Sequence, residues 1–182
     1  TYTGSRGNDR FSGGAGSVVV DMGLGNETVL TGPGADTIIL RGGESKVNTG
    51  EGGDTILLDP NYGATKLTVA GGAANDVLRI APFASTGDIT LGQMGLVHAA
   101  PSGFLRVNFD DKLDRIEMSD TAANTVIKTV NMDWKSTDLS LNASGTVNVS
   151  AGNFKAADGL LSISAARFVG TFNTEVAELS LQ

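Results

Sequence analysis

Two stretches, TGPGADTII at 31–39 and TGEGGDTIL at 49–57, carry the pattern that decides the fold of this chain. Each has a glycine at its fourth place, an aspartate at its sixth and an isoleucine at its eighth. The same nine-residue count fits six further units, with residues 58–61 inserted before the seventh unit. Those units begin at Gly4, Gly13, Met22, Leu40, Tyr62 and Gly71. A fixed short period predicts a solenoid, in which each unit packs on its neighbours.

The eighth place of every unit holds a large apolar residue. These residues are Phe11, Val20, Val29, Ile38, Val47, Ile56, Val69 and Leu78. Many of them are β-branched, which favours a strand over a helix. One strand this short needs neighbours about 4.8 Å above and below to bury its apolar face. Glycine at the fourth place of the first six units predicts a turn with positive φ. We therefore expect an all-β fold, a parallel β-roll or β-helix solenoid.

The repeats end near residue 80, and 17 of the 25 glycines lie before residue 81. We place a domain boundary there, giving repeats at 1–80 and a β-rich continuation at 81–182. Short stretches with period-two alternation follow, without the spacing of an amphipathic helix. The segments DLSLN, GLLSIS and AELSLQ after Thr137 are similar in texture to filamentous β-helical regions of large bacterial surface adhesins. A further β-helix and a β-sandwich cap both fit this half.

The nonapeptide pattern resembles the RTX repeat family, whose consensus is G-G-x-G-x-D-x-U-x with U large and apolar. The resemblance covers about the first 80 residues, and the first glycine of the consensus is present in only some units. It implies that two nonapeptides form one turn of a parallel β-roll. It also implies that sixth-place carboxylates and turn carbonyls bind Ca²⁺ between successive turns.

In that geometry alternate units stack into two columns of sixth-place residues. One column holds Asp9, Glu27, Ser45 and Leu67, and the other holds Val18, Asp36, Asp54 and Asp76. A site needs acids on adjacent turns, so the resemblance places the first site at Asp36 with Asp54, beside the turn glycines Gly34 and Gly52. Asp54 with Asp76 comes second, and Asp9 with Glu27 third. At Ser45 and Leu67 we expect a hydroxyl or apolar ladder in place of metal.

Calcium takes six to eight oxygen ligands in flexible geometry, and carboxylates with turn carbonyls supply such oxygens. Stacked acids repel one another when no cation is present. We therefore expect calcium to neutralise the column and to couple its binding to folding. The alternative is a metal-free solenoid, in which these aspartates are ordinary turn residues.

Composition and motifs narrow the function. The formal charge of −7 argues against nucleic acid and anionic membranes as partners, and no apolar run approaches the ~18 residues of a membrane span. The chain has no cysteine and one histidine, His98, and it lacks the G-x-S-x-G motif, so no catalytic constellation is found. The acidic group Asp110, Asp111 and Asp114 we interpret as a solvated turn.

We expect a calcium-stabilised structural or adhesive segment of a large secreted or cell-surface bacterial protein, and not an enzyme. Its partners would be calcium and a polysaccharide or protein of the cell surface or matrix. The alternative is an accessory module or catalytic β-helix of a polysaccharide-modifying enzyme of the lyase or epimerase type. An ice-binding solenoid fits less well, because the threonine ladder at the seventh place is broken by Arg10, Val19, Lys46 and Val77.

Overall fold

The computed structural model describes residues 1–61, 63–83, 87–100, 103–121, 125–149, 153–171 and 173–182; Tyr62, the first residue of the seventh unit, lies outside them. The described residues form strands and no helix, so none of them lies in a helix long and apolar enough to cross a membrane. The all-β prediction is confirmed. The strands are β1 (Tyr2–Thr3), β2 (Arg10–Ser12), β3 (Val19–Leu24), β4 (Thr28–Leu30), β5 (Thr37–Arg41), β6 (Gly43–Asn48), β7 (Thr55–Asp59), β8 (Thr65–Ala70), β9 (Val77–Ile80), β10 (Asp88–Gly92), β11 (Gly95–Ala100), β12 (Gly103–Phe109), β13 (Arg115–Thr121), β14 (Thr125–Thr129), β15 (Asp138–Val149), β16 (Asn153–Gly170) and β17 (Asn173–Leu181).

The strands of the repeats stack in parallel into two ladders. In the first ladder, β1, β3, β5 and β7 align Tyr2, Val20, Ile38 and Ile56, each 18 residues after the previous one. In the second ladder, β2, β4, β6 and β8 pair in the same manner. Two nonapeptides therefore make one turn, which is the predicted β-roll.

The core of the roll is built by the sixth and eighth places together. Residues two apart in a strand point to the same side, so both places face inward. The eighth-place residues from Val20 to Leu78 are at most 3% exposed, and Phe11 is partly buried. The sixth-place side chains from Glu27 to Asp76 are buried as well, acids included. Burial of the acids therefore follows from their register.

The four-residue insertion lengthens a turn without breaking the ladder. The sequence count places it at 58–61, but Leu58 and Asp59 still pair with Leu40 and Arg41, and β7 has the same five residues as β5. The extra residues therefore lie in the turn after Asp59, before Thr65 pairs with Gly43. Strand β7 runs on through Leu58, which pairs with Leu40 below it and Ile80 above it and is 2% exposed. Asn61 closes the following turn, where its backbone and side-chain N–H groups donate to Asp59 Oδ1. The sequence distance between paired residues of successive turns rises here from 18 to 22, as the pair Ile56 and Leu78 shows.

The first ladder continues past the repeats in unbroken parallel register. Leu78 of β9 pairs with Ile116 of β13, and β15, β16 and β17 add Leu139, Leu161 and Leu179. Of the two arrangements that the sequence left open after residue 80, the solenoid is the one adopted. The residue-80 boundary is a change of repeat pattern, and the division into two domains stays a prediction.

The second ladder is interrupted by an antiparallel meander of β10, β11 and β12. Strand β12 stacks in parallel on β8, and β10 stacks in parallel on β14, so the ladder runs β8, β12, β11, β10, β14. The tight turn between Gly92 and Gly95 contains Met94 at a φ of 47°. The second ladder therefore has three strands beside the single β9 of the first ladder.

Trp134 ties the meander to the later turns. Its side chain is fully buried, its ring meets Phe109 edge-on at 5.0 Å, and its Nε1 donates to the carbonyl of Gly92 at 2.8 Å. Its backbone N–H donates to the carbonyl of Lys155 at 2.8 Å. A buried indole needs such a hydrogen-bond partner, so the tryptophan fixes both its own position and that of the β10 end.

The turns of the first ladder require a left-handed residue at the fourth place, as the sequence predicts. Gly16, Gly34 and Gly52 have φ values of 102°, 130° and 114°. At the equivalent place of the next unit stands Ala74, with a φ of 78°. An L-residue with a Cβ pays about 1–2 kcal/mol in that region. The fourth turn of this ladder is therefore strained.

Replacing Ala74 by glycine relieves that strain. We expect Ala74→Gly to stabilise the fold by about 0.5–1 kcal/mol after the entropy cost of glycine, which for a chain of this size raises Tm by about 2 °C. Ala73→Gly is the matched control, since Ala73 lies exposed in the same turn outside the left-handed region. We expect that substitution to lower Tm. Equal effects of the two substitutions on thermal unfolding followed by circular dichroism would contradict the strain.

Candidate metal centre

Asp36, Asp54 and Asp76 lie one above another where the glycine turns enter the first ladder. Each carboxylate accepts the backbone N–H of the same place one turn earlier. Asp36 Oδ1 accepts from Val18 at 2.8 Å, Asp54 Oδ1 from Asp36 at 2.7 Å, and Asp76 Oδ1 from Asp54 at 3.0 Å. We call these four residues, from Val18 to Asp76, the Asp54 column. Its geometry leaves one oxygen of each carboxylate for other partners.

Two of those second oxygens have no partner. Asp36 Oδ2 and Asp54 Oδ2 are buried without any hydrogen bond, whereas Asp76 Oδ2 accepts from Gly72 N at 2.7 Å and from Thr49 Oγ1 at 3.1 Å. No lysine or arginine of the described ranges lies within ion-pair distance of the three carboxylates. Buried charges without a counter-charge are costly. The column therefore has the chemistry of a cation site.

The electrostatics of Asp54 show this cost directly. Burial is the main cause that raises the pKa of Asp54 to about 6, and the neighbouring Asp76 and Asp36 charges raise it further. The N–H of Asp36, which donates to Asp54 Oδ1, and to a smaller extent the nearby hydroxyl of Thr49, whose hydrogen bond goes to Asp76 Oδ2, act in the opposite direction. Near neutral pH the carboxylate is ionised while still buried between two others, so it is a ready ligand for a divalent cation.

The other column begins with a second pair of acids. Glu27 Oε2 accepts the N–H of Asp9 at 2.8 Å, while its Oε1 is buried without a partner. A Cβ at Gly25 would lie 2.3 Å from Gly7 O and 2.6 Å from Glu27 Oε1, so both oxygens face the space that the glycine leaves. Burial also raises the pKa of Glu27. Asp9 is less available, since its Oδ2 accepts both N–H and Oγ–H of Ser5.

The later members of this column carry no charge. Ser45 is 3% exposed with its Oγ unpartnered, and Leu67 is fully buried beside it in register. The two side chains stack in register as the sequence predicts, and the replacement of metal at these places stays a prediction.

Gly34 and Gly52 hold the turns at the close spacing that the column needs. Their N–H groups donate to the carbonyls of Glu51 and Ala73 in the next turn, at 2.8 and 2.9 Å. A Cβ on Gly52 would lie 2.3 Å from Gly34 O, so that carbonyl points at the following turn and only glycine leaves room for it. The role of these carbonyls as calcium ligands stays a prediction.

Asp114 stands next in the stack after Asp76, so the interpretation of this residue as part of a solvated turn is wrong. Its Oδ2 accepts the N–H of Asp76 at 2.7 Å, so it continues the column beyond the repeats. The signal was present in the sequence, since Asp114-Arg115-Ile116 repeats the order of Asp54-Thr55-Ile56. The missing glycines and the 38-residue spacing from Asp76 concealed it.

The other two acids of that group behave differently. Asp110 Oδ1 accepts the N–H groups of Gly71 and Lys112, at 3.0 and 3.2 Å, and so closes the turn. Asp111 is exposed and lies 3.7 Å from Lys135. These two side chains are therefore turn residues, as the sequence analysis expects.

Within the part of the chain that the structure describes, no three His, Cys, Asp or Glu side chains gather closely enough to hold a metal by themselves. A cation in either column must therefore take backbone carbonyls as well as carboxylates. Calcium accepts both kinds of oxygen without precise spacing. The residues present thus fit calcium better than a metal that depends on side-chain ligands alone.

Comparison with known families agrees with this chemistry. Residues 1–21 and 22–56 match the family model described as the RTX calcium-binding nonapeptide repeat (4 copies). The first 56 residues, about a third of the chain, are therefore similar to RTX repeats. Repeats of this family bind calcium and are not catalytic, and the proteins that carry them are typically secreted. No curated protein and no solved structure matches the chain. Asp36 and Asp54 lie inside the matched RTX repeats, whereas Asp76 and Asp114 lie beyond them.

Protonation of Asp54 should be visible in the stability of the calcium-free chain. Its pKa is raised from 3.8 to about 6 on folding, so its contribution to stability is fully present below about pH 3.8 and is lost as pH rises through 6. We expect the Tm of the original chain minus that of Asp54→Asn, measured in EDTA, to fall between pH 4.5 and 7.

The Tm of the original chain minus the Tm of Asp54→Asn reports the contribution of Asp54 alone. Burial lowers the pKa of His98, so that group opposes the trend by losing stability as pH falls, but it is present in both chains and cancels. Asp111→Asn, which removes an exposed carboxylate, is the control for the loss of one charge. A Tm difference for Asp54→Asn that stays constant across this range would contradict the burial argument.

Proposed function

We propose that this chain is a calcium-stabilised structural segment of a large secreted or cell-surface bacterial protein, with calcium held at the Asp54 column. The observation that carries the proposal is the pair of buried, unpartnered oxygens, Asp36 Oδ2 and Asp54 Oδ2. Their side chains sit on adjacent turns, inside repeats of a calcium-binding family. Each is held without a compensating cation from the described residues.

The protein orients the two free oxygens by holding the other oxygen of each carboxylate in a hydrogen bond. The hydrogen bond from the preceding turn holds Oδ1 of Asp36 and Asp54, and this orients the second oxygen of each group. Gly34 and Gly52 let successive turns approach closely, and their carbonyls are the further ligands that we propose for the cation. Calcium, when bound, supplies the positive charge that this set of oxygens lacks.

The order of sites follows from the number of unsatisfied oxygens. Asp36 with Asp54 has two, Asp54 with Asp76 has one, and Asp9 with Glu27 has one, on Glu27. Gly34 and Gly52 flank the first of these sites. We therefore place the strongest site at Asp36 and Asp54 and the weaker ones at Asp76 and at Glu27 with Asp9.

Folding and binding are linked because the ligands come from separate turns. The carboxylates converge only when residues 18 to 22 positions apart in the chain have stacked, so the unfolded chain offers no such site. A calcium-poor compartment would keep the repeats loose, and release into millimolar calcium would order them. This suits a protein that is secreted before it folds, and a stiff rod suits an adhesive or spacer role outside the cell.

Calcium titration tests the proposal. We expect millimolar calcium to strengthen the β signal in far-UV circular dichroism and to raise Tm, by a stabilisation near 2.7 kcal/mol at a concentration about 100 times the Kd. Magnesium should do little, because it demands octahedral geometry and gives up water reluctantly. Thermal unfolding that is the same in EDTA and in calcium would refute calcium binding.

Single substitutions show which of the two columns binds the calcium that raises Tm. Asp54→Asn keeps the side-chain shape and removes the charge shared by two sites, so we expect it to abolish most of the calcium-induced rise in Tm. Asp9→Asn should remove less of the rise, and Asp111→Asn none. A larger loss from Asp9→Asn than from Asp54→Asn would show that the main calcium site is at Asp9 and Glu27. Robust turnover of an acidic polysaccharide by the original chain would instead favour an enzyme.

A further inference from the structure

The outward side of the second ladder is basic, although the whole chain has a formal charge of −7. Because the sixth and eighth places point inward, the residues between them point out. We call this side the basic face. Its strands carry six outward cations and two outward acids, Glu44 and Asp88. The cations are Arg10, Lys46, Lys66, Arg106, Lys128 and Arg167.

Most of this charge is uncompensated. Lys66 lies 3.9 Å from Glu44, and Lys128 is paired with Asp88. The other four cations form no ion pair with any residue that the structure describes. The guanidinium of Arg106 lies 5.7 Å from the centre of the Phe104 ring, which holds it over the sheet.

The outward side of the first ladder shows that such a charge is not a general property of the solenoid. There Arg41 pairs with Asp21, Arg79 pairs with Glu117 at 2.8 Å, and Arg115 lies 3.6 Å from both Glu117 and Asp138. Each arginine on that side has a carboxylate beside it. Within the repeats the two sides are stacked in the same parallel manner, so the excess of cations there belongs to the second ladder and not to the stacking itself.

Across the strands of the basic face, cationic side chains alternate with neutral side chains that can form hydrogen bonds. One row across the sheet runs Arg10, Thr28, Lys46, Thr68 and Asn108. Arg10 and Lys46 therefore stand two strands apart, about 10 Å at the usual strand spacing. In the neighbouring row Lys66 and Arg106 are direct partners. A linear ligand crossing the strands would meet a positive charge at intervals, with hydroxyl and amide groups between.

A shallow groove lies at the end of the first of these rows. Asn108 is the register partner of Gly95, and Gly95 is the partner of Gly92. The two glycines leave a concavity bordered by Thr90, Gln93 and Arg106. It offers polar edges and a flat floor, next to a cation.

From these observations we propose that the basic face binds an acidic polysaccharide laid across the strands. Its acid groups would meet Lys46, Arg106 and their neighbours, and its hydroxyls would meet Thr28, Thr68 and Asn108. Duplex DNA carries one charge per ~1.7 Å, which the sparse cations here cannot match, and its groove needs a protruding element that this flat sheet lacks. This proposal goes beyond the calcium function, since it assigns a ligand to a different surface.

The test is binding to immobilised chondroitin sulfate in calcium, at low and at physiological ionic strength. We expect binding that weakens with salt, as exposed charge contacts do, and no binding to neutral dextran. Lys46→Glu with Arg106→Glu should weaken binding about tenfold, by loss of two charge contacts of up to ~1 kcal/mol each. The glutamine versions of both substitutions should give a smaller loss.

Lys112→Glu with Lys135→Glu is the matched control, because it changes the net charge equally at exposed turn lysines away from the basic face. We expect it to alter binding less than twofold. Absence of binding by the original chain, or an equal loss in this control, would overturn the proposal. Tighter binding of duplex DNA, lost in the same double variant, would reassign the face to nucleic acid. The rise in Tm that calcium causes is measured separately for the original chain and for each variant. A failure of calcium stabilisation would then be seen independently of polysaccharide binding.

Discussion

The structure depends on carboxylates that are buried one above another with only part of their hydrogen bonding satisfied. In the Asp54 column each turn donates a backbone N–H to the acid of the next turn, which ties the turns together. The same contact brings like charges into proximity inside the protein, where they repel strongly. The rest of the roll fits around this contact, with glycine turns that allow close approach and β-branched residues that fill the interior. One interaction thus links the packing of the turns to the negative charge that they bury.

Parallel stacking also explains how the solenoid accepts irregular insertions. A turn needs only that its strands meet the strands of the neighbouring turns, so extra residues between strands are tolerated if the register resumes. The four extra residues lengthen the turn after β7 and leave the strand at the length of β5. The excursion between β9 and β13 is longer and folds into a meander, yet Leu78 and Ile116 still pair directly. Buried Trp134 then joins the enlarged second ladder to the later turns.

Much of the fold and part of the site could be read from the sequence. The eighth-place residues predicted the core because a strict period fixes which side chains share a face. The fourth-place glycines predicted the left-handed turns correctly from Gly16 to Gly52 but not at Gly7, and Ala74 shows that the backbone imposes this conformation even without glycine. Asp36, Asp54 and Asp76 fell into one column once the nine-residue count was combined with the two units per turn that the RTX resemblance implies. Asp114 did not, because its turn lacks the glycines and lies 38 residues further on, and only strand pairing reveals that it stands beside Asp76.

The sequence by itself determined the β-roll and its apolar core, because a nine-residue period with fixed glycine and apolar places sets which side chains share a face, while the two columns were implied by its resemblance to a calcium-binding repeat family. Only the tertiary structure decided which carboxylate oxygens are left without partners, how the second half joins the same ladders, and where the basic residues gather. Those features depend on pairing between residues far apart in the chain. The basic face shows this most clearly, since its cations are scattered from Arg10 to Arg167 in an acidic sequence and come together only when the strands stack.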